Sequence, residues 1–263
     1  MNPLLTIQNL SIKNPKQEKQ ILHGFDFQLE KDKIHAVIGE SGSGKTTFAT
    51  SILHLLASNL SMSFDNYRVL TQEYNDISSK EWQSIRGKHI CLVPQSPAGA
   101  FHPYKKIGKQ IYEYFLVKEK KLAKKDRILS LLEKTGILAG EQKYSSLPSE
   151  LSGGERQRIL IAMAIALKPD ILIADEPTTA LDSINEKLTL HLLYKLVKKN
   201  GVGMILITHD MRIVNAIADE VTVLQKGKFV ESAKLQNGMF HLQNPYSQSL
   251  FAKIQTNSLG EKK

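Results

Sequence analysis

One stretch constrains this chain more than any other. Gly39-Glu40-Ser41-Gly42-Ser43-Gly44-Lys45-Thr46 fits G-x-x-x-x-G-K-[ST], and it lies between an apolar run at 34–38 and a helical pattern predicted from 45 to about 57. Such a loop dictates what must surround it. Glycines allow consecutive backbone N–H groups to converge on an anion where any Cβ would obstruct them. The helix that follows adds the open donors and partial positive charge of its first turn. A buried strand must therefore feed the loop and a helix must leave it. The ligand expected is a phosphate chain, with Lys45 reaching the β- and γ-phosphates and the Thr46 hydroxyl binding Mg²⁺.

The apolar periodicity supplies that framework. Phe25, Phe27 and Leu29 alternate as in a half-buried strand, and residues 89–93 read as another. Residues 105–168 read as mostly helical. Three apolar strands follow at 171–174, 204–208 and 221–224, separated by helical segments near 184–199 and 210–217. Strands alternating with helices predict an α/β fold with a parallel sheet. The organisation expected is an α/β core over 1–94 and 161–240, an inserted helical subdomain over 95–160, and a tail over 241–263 with one short helix. No internal repeat and no low-complexity linker divides the chain.

Two further motifs carry chemistry. Ile171-Leu172-Ile173-Ala174-Asp175-Glu176-Pro177 is an apolar strand ending in two acids. Its carboxyl end should deliver Asp175 to Mg²⁺ and Glu176 to an attacking water. Leu151-Ser152-Gly153-Gly154-Glu155-Arg156-Gln157-Arg158 precedes the helix leading to that strand. Ser152 and Glu155 have the spacing of a capping box, and the two glycines leave backbone donors open to an anion.

With these motifs in this order, the chain resembles the ATP-binding cassette (ABC) ATPases of transporters, over nearly its whole length. The resemblance implies a P-loop NTPase core, a mixed sheet with flanking helices, carrying an inserted helical subdomain. It makes 39–47 the Walker A loop, so Gly39, Ser41, Gly42, Ser43, Gly44, Lys45, Thr46 and Thr47 would bind ATP. Gln95 matches the glutamine that senses Mg²⁺ and couples to the membrane subunit, so Thr46, Gln95 and Asp175 form the implied Mg²⁺ set. Ser152, Gly153, Gly154 and Glu155 would contact the γ-phosphate of ATP held by a partner cassette. Ala180-Leu181-Asp182 matches the D-loop, and His209 the switch histidine, placing Gln95, Glu176 and His209 in the catalytic set. Members usually stack an aromatic residue on adenine; residues 10–24 contain none, leaving Ile12 and His23 as substitutes.

Gln95-Ser96-Pro97-Ala98-Gly99-Ala100-Phe101-His102-Pro103 and Asn244-Pro245-Tyr246-Ser247-Gln248 resemble segments of the oligopeptide, dipeptide and nickel importers. Peptide-type members generally run well past the second segment and carry cysteines there. The sequence ends soon after it without any, which points the expectation to nickel or another transition metal, free or chelated, with di- or oligopeptides as the alternative. The resemblance implies as partners a second ATPase subunit in a heterodimer, two membrane permeases and, through them, an external binding protein. The place implied is peripheral, on the cytoplasmic side of the cell membrane.

Composition limits the rivals. The longest apolar run, 159–167, has nine residues, against roughly 20 for a membrane span. No basic stretch leads an apolar core at the start, so no secretory signal is expected. The single cysteine, Cys91, excludes a disulfide framework and a four-cysteine metal site. The net charge is +9, and residues 105–134 hold ten Lys/Arg against four Asp/Glu; the first reading of such a run is a solvated helical face. A pI near 9.4 permits a soluble cassette ATPase acting on nucleic acid. Neither a second cassette nor a long coiled coil is present, however, and nucleic acid is not an expected partner. A P-loop kinase would leave 151–155 and His209 without purpose.

Overall fold

Three strands are buried at every residue, and each ends where a candidate functional residue begins: Ile34–Ile38, Ile171–Asp175 and Gly203–Ile207. Strands covered on both faces read as continuous apolar runs, which is why these three are legible in the sequence. The computed structural model describes residues 3–74, 79–179 and 181–259.

In chain order the elements begin with β1 (Leu5–Asn14), β2 (Lys19–Leu29), β3 (Ile34–Ile38), α1 (Lys45–Ile52), β4 (Ser61–Ser63), β5 (Asn66–Val69) and β6 (Gln72–Glu73). There follow α2 (Ser79–Ile85), β7 (Ile90–Val93), α3 (Ile107–Lys118), α4 (Lys125–Lys134), α5 (Gly140–Ser145), α6 (Gly153–Leu167) and β8 (Ile171–Asp175). The last are α7 (Ser183–Asn200), β9 (Gly203–Ile207), α8 (Met211–Ile217), β10 (Glu220–Gln225), β11 (Lys228–Gln236), β12 (Met239–Phe240) and α9 (Pro245–Leu259). The chain divides into two compact units, one of Met1–Gln83 with Gly203–Lys263 and one of Ser84–Val202.

The first unit holds two sheets. One is antiparallel, β2-β1-β5-β6 with β4 also on β1. The other runs β12-β11-β10-β3-β9, with β10, β3 and β9 mutually parallel. The antiparallel sheet was only half visible in the sequence. β2 alternates plainly, but the register of β1 shifts twice near Asn9, which stands at φ 53°, and such a bulge breaks period 2. β4 to β6 are short, with only Tyr67 and Val69 of β5 buried, and they form through pairing with β1 and between β5 and β6.

Helix α1 stops at Ile52, five residues before the expected end. Leu53 closes it with a bond from its N–H to the Thr50 carbonyl, and His54 turns left-handed at φ 49°. The reason is tertiary: that turn lays the His54 ring on Trp82, with centroids 4.1 Å apart.

In the second unit β7 and β8 pair in parallel, Val93 opposite Ala174. Around α3 to α6 gathers a core of Ile107, Ile111, Phe115, Ile128, Leu132 and Ile159, each at most 1% exposed. Ile107, Ile111 and Phe115 recur at i, i+4, i+8 on α3, the spacing of one helix face. No strand lies among described residues 105–168.

Candidate active site

The phosphate loop is shaped by what crowds it. A Cβ on Gly39, at φ 153°, would lie 2.2 Å from the Leu224 carbonyl oxygen of β10. Gly44, the residue before α1, stands at φ 106°, and a Cβ there would meet Leu22 at 2.6 Å. At Gly39 a side chain would have to displace backbone, and at Gly44 the positive φ disfavours any residue with a Cβ. Lys45, 8% exposed, folds back on the loop and donates to the carbonyls of Gly39 at 2.7 Å and Glu40 at 2.9 Å. Its ammonium is thus held inside the ring of backbone it must serve. The buried Ser43 hydroxyl makes no hydrogen bond among the described residues; an orphaned donor in such a loop suits an anionic oxygen. Ser41, Gly42 and Thr46 are exposed and Thr47 half-buried.

In the same unit β3 pairs with β9 through Val37 and Ile207. Gly39 and His209 therefore leave the carboxyl ends of two adjacent parallel strands, the place where open α/β sheets bind ligands. His209 is exposed. Behind it the Asp210 side chain accepts the Arg212 N–H at 2.8 Å and caps α8. Burial raises the Asp210 pKa, but its bonds to Arg212 outweigh that and leave the carboxyl below its usual range.

The second unit gathers its own set. The Val93–Ala174 pairing brings Gln95 and the Asp175-Glu176 pair to one strand edge. Asp175 is 4% exposed and Glu176 9%. Glu176 stands at φ 47°, strained for a residue with a Cβ, and its carboxylate accepts the Thr179 hydroxyl at 2.8 Å. The sequence reading passed over Thr179, because a threonine three residues downstream has no meaning until the turn brings it back. Oxygen ligands of the kind offered by Thr46, Gln95 and Asp175 are the hard donors Mg²⁺ prefers, so the chemistry of the set fits that ion.

The capping box is present as predicted. Ser152 Oγ accepts the Glu155 N–H at 3.1 Å, and the Glu155 carboxylate accepts the Ser152 N–H at 2.8 Å. Lys143 of α5, also missed in the sequence, pairs with Glu155 at 2.7 Å. Burial raises the Glu155 pKa, yet Lys143 and the Ser152 N–H outweigh it and hold the carboxyl below its usual range. Gly153 opens to free space, whereas a Cβ on Gly154 would touch Leu181 at 3.0 Å. Asp182 caps α7 by accepting the Ile184 and Asn185 N–H groups at 3.1 and 2.9 Å; Ala180 lies outside the described residues.

The adenine expectation needs one correction. Ile12 is fully buried, because its register opposite Leu22 turns it into the sheet, so it offers no face to a base. His23 is exposed and lines a shallow groove with Asn9, Lys228 and Phe229.

Residues 22–179 match the family model described as ABC transporter. The chain is 39% identical to the oligopeptide transport ATP-binding protein OppD of Bacillus subtilis over 96% of its own length and 72% of that protein's. To the dipeptide transport ATP-binding protein DppD of the same species it is 37% identical, covering 97% of this chain and 77% of the relative. Among solved structures, the ATP-binding cassette MJ0796 in a dimeric post-hydrolysis state, bound to ADP and Pi, superposes with a TM-score of 0.75 at 25% identity, covering 89% of this chain and 99% of that one.

Proposed function

The chain belongs to the ABC transporter family as an ATP-binding subunit, and from that premise we propose that it powers an importer of di- or oligopeptides. One observation carries the cargo: relatives 37–39% identical over nearly the whole chain are named for oligopeptide and dipeptide transport. The nickel or other metal cargo expected from the short tail and from the Ala-Phe-x-Pro form at 100–103 finds no support in these relatives.

The chemistry follows from the residues. Lys45 and the loop N–H groups hold the β- and γ-phosphates. Glu176 polarises the attacking water, and its bond from Thr179 fixes where that carboxylate points. His209, and Ser152 to Glu155 acting on nucleotide held by a partner cassette, supply donors as charge develops. Gln95 transmits the state of the site to a permease. Thr46, Gln95 and Asp175 would hold Mg²⁺, which would supply neutralisation of charge on the phosphates. Hydrolysis is then mostly positioning and electrostatics. No described helix is long and apolar enough to cross a membrane, so the cargo path belongs to other chains: two permeases, fed by an external binding protein. A heterodimer with a second cassette, bound peripherally at the cytoplasmic face, completes the proposal.

Cellular uptake of a labelled dipeptide and of labelled nickel, in wild type and Lys45→Ala, tests it. Dipeptide uptake should fall about 100-fold, the scale of losing one preorganised charge, with nickel uptake unchanged. Loss of nickel uptake alone would restore the metal cargo. Loss of neither would overturn the importer reading and make salt-dependent nucleic-acid binding the next measurement.

A further inference from the structure

The segment around Tyr246 was singled out in the sequence, yet nothing in the hydrolytic chemistry uses it. It reaches the phosphate loop. The Glu40 N–H donates to the Tyr246 hydroxyl at 3.3 Å, across 206 residues of sequence. The segment is itself anchored. Glu231 of β11 accepts the N–H groups of Gln243 and Asn244 at 2.9 and 3.1 Å. Asn244 Oδ1 accepts the Tyr246 N–H at 2.9 Å, and the Ser249 hydroxyl donates to the Tyr246 carbonyl at 2.7 Å. Pro245 follows, with its fixed φ and no N–H to place, at the start of α9.

β11, which holds this anchor, also touches the loop through the turn that begins it. The Gly227 N–H donates to the Ser43 carbonyl at 3.0 Å, and the Gly227 carbonyl in turn accepts the His23 N–H at 2.9 Å. One continuous C-terminal stretch therefore grips the loop twice, at Ser43 through Gly227 and at Glu40 through Tyr246. Between these grips lie Ser41 and Gly42, both exposed. A glycine-rich loop loses much conformational entropy on closing around an anion. Fixing it beforehand removes part of that loss from the binding step.

We propose that Tyr246 is a positioning residue of the phosphate loop: its hydroxyl, carried by a backbone that Glu231 and Asn244 anchor, fixes the Glu40 backbone so that the loop meets nucleotide already ordered. This rests on the reading of 39–47 as the ATP site. Tyr246 is half-buried, and burial raises its pKa, partly offset by the Glu40 N–H; it stays a neutral acceptor through the working range of pH. Because the contact touches no reacting atom, it should alter affinity and leave turnover alone.

The test is Tyr246→Phe in the full chain, which keeps the ring and removes one oxygen. The KM for ATP, and the Kd for ATP and ADP, should rise about three- to tenfold, the scale of one net hydrogen bond. kcat should stay within about twofold and the nucleotide-free Tm within about 1 °C, the pattern of lost uniform binding without lost stability. Unchanged affinity in the variant, with wild type binding ATP normally, overturns the proposal and leaves the ATP site standing. A rise in KM matched by a fall in the nucleotide-free Tm also overturns it, since the hydroxyl would then be serving the fold. Failure of wild type itself to bind ATP would instead defeat the reading of the site. Should the phenylalanine variant not fold, Glu231→Gln loosens the other anchor with the hydroxyl intact and is read by the same criteria.

Discussion

His35 in β3, four residues before the phosphate loop, shows how a single side chain makes this unit depend on pH. It is 5% exposed, with Nε2 2.8 Å from the Thr222 hydroxyl and Nδ1 3.1 Å from the Gln28 carbonyl. Burial lowers its pKa from 6.5 to about 4. The folded protein therefore refuses a proton that the unfolded chain accepts. Stability is complete above pH 6.5 and declines as the pH falls, by about 3 kcal/mol on reaching pH 4. Denaturant unfolding of wild type and His35→Gln between pH 7 and pH 4 checks this; the variant should lack about one proton's worth of slope. The carboxylate proposed to polarise the attacking water makes a second residue-scale prediction. Glu176→Gln should bind ATP normally while hydrolysis falls by at least about 100-fold, and retained turnover would remove Glu176 from its role. Thr179→Val, which removes only the hydroxyl bonded to Glu176, should lower kcat with little change in KM.

At the scale of elements, α6 is held at its start by more than its own cap. Ser152 and Glu155 satisfy each other's N–H groups, and Lys143 secures Glu155 from α5. Ser152→Ala should therefore destabilise the chain by about 1 kcal/mol, a fall in Tm of roughly 2–4 °C, readable by calorimetry without nucleotide. The spacing S-x-x-E makes the cap legible in sequence; the lysine, in another helix, is not. The helical core gives a larger figure. Phe115 is 1% exposed among Ile107, Ile111, Ile128 and Leu132, and Phe115→Ala should cost about 3–5 kcal/mol through the cavity it leaves. α1 shows the opposite case. Its pattern promised a helix to about 57, and Leu53, Leu55, Leu56 and Ala57 are good helix formers, yet the chain leaves the helix where His54 stacks on Trp82.

For the whole molecule, the candidate residues come from both units: the phosphate loop and His209 from one, Gln95, the 151–155 motif and the Asp175-Glu176 pair from the other. The sequence by itself determined the local motifs. A glycine loop, a buried strand ending in acids, and a capped glycine pair are written in residue type and short spacing, because each obeys steric and hydrogen-bonding rules acting over a few residues. The buried parallel strands were legible for the same reason, as unbroken apolar runs. Tertiary structure alone decided the antiparallel sheet, whose short strands gain their bonds from β1, and the burial of Ile12, set by its register with Leu22. It alone joined Thr179 to Glu176, Lys143 to Glu155 and Tyr246 to the phosphate loop. A bond between distant segments depends on where the folded chain returns, and no local spacing encodes that return.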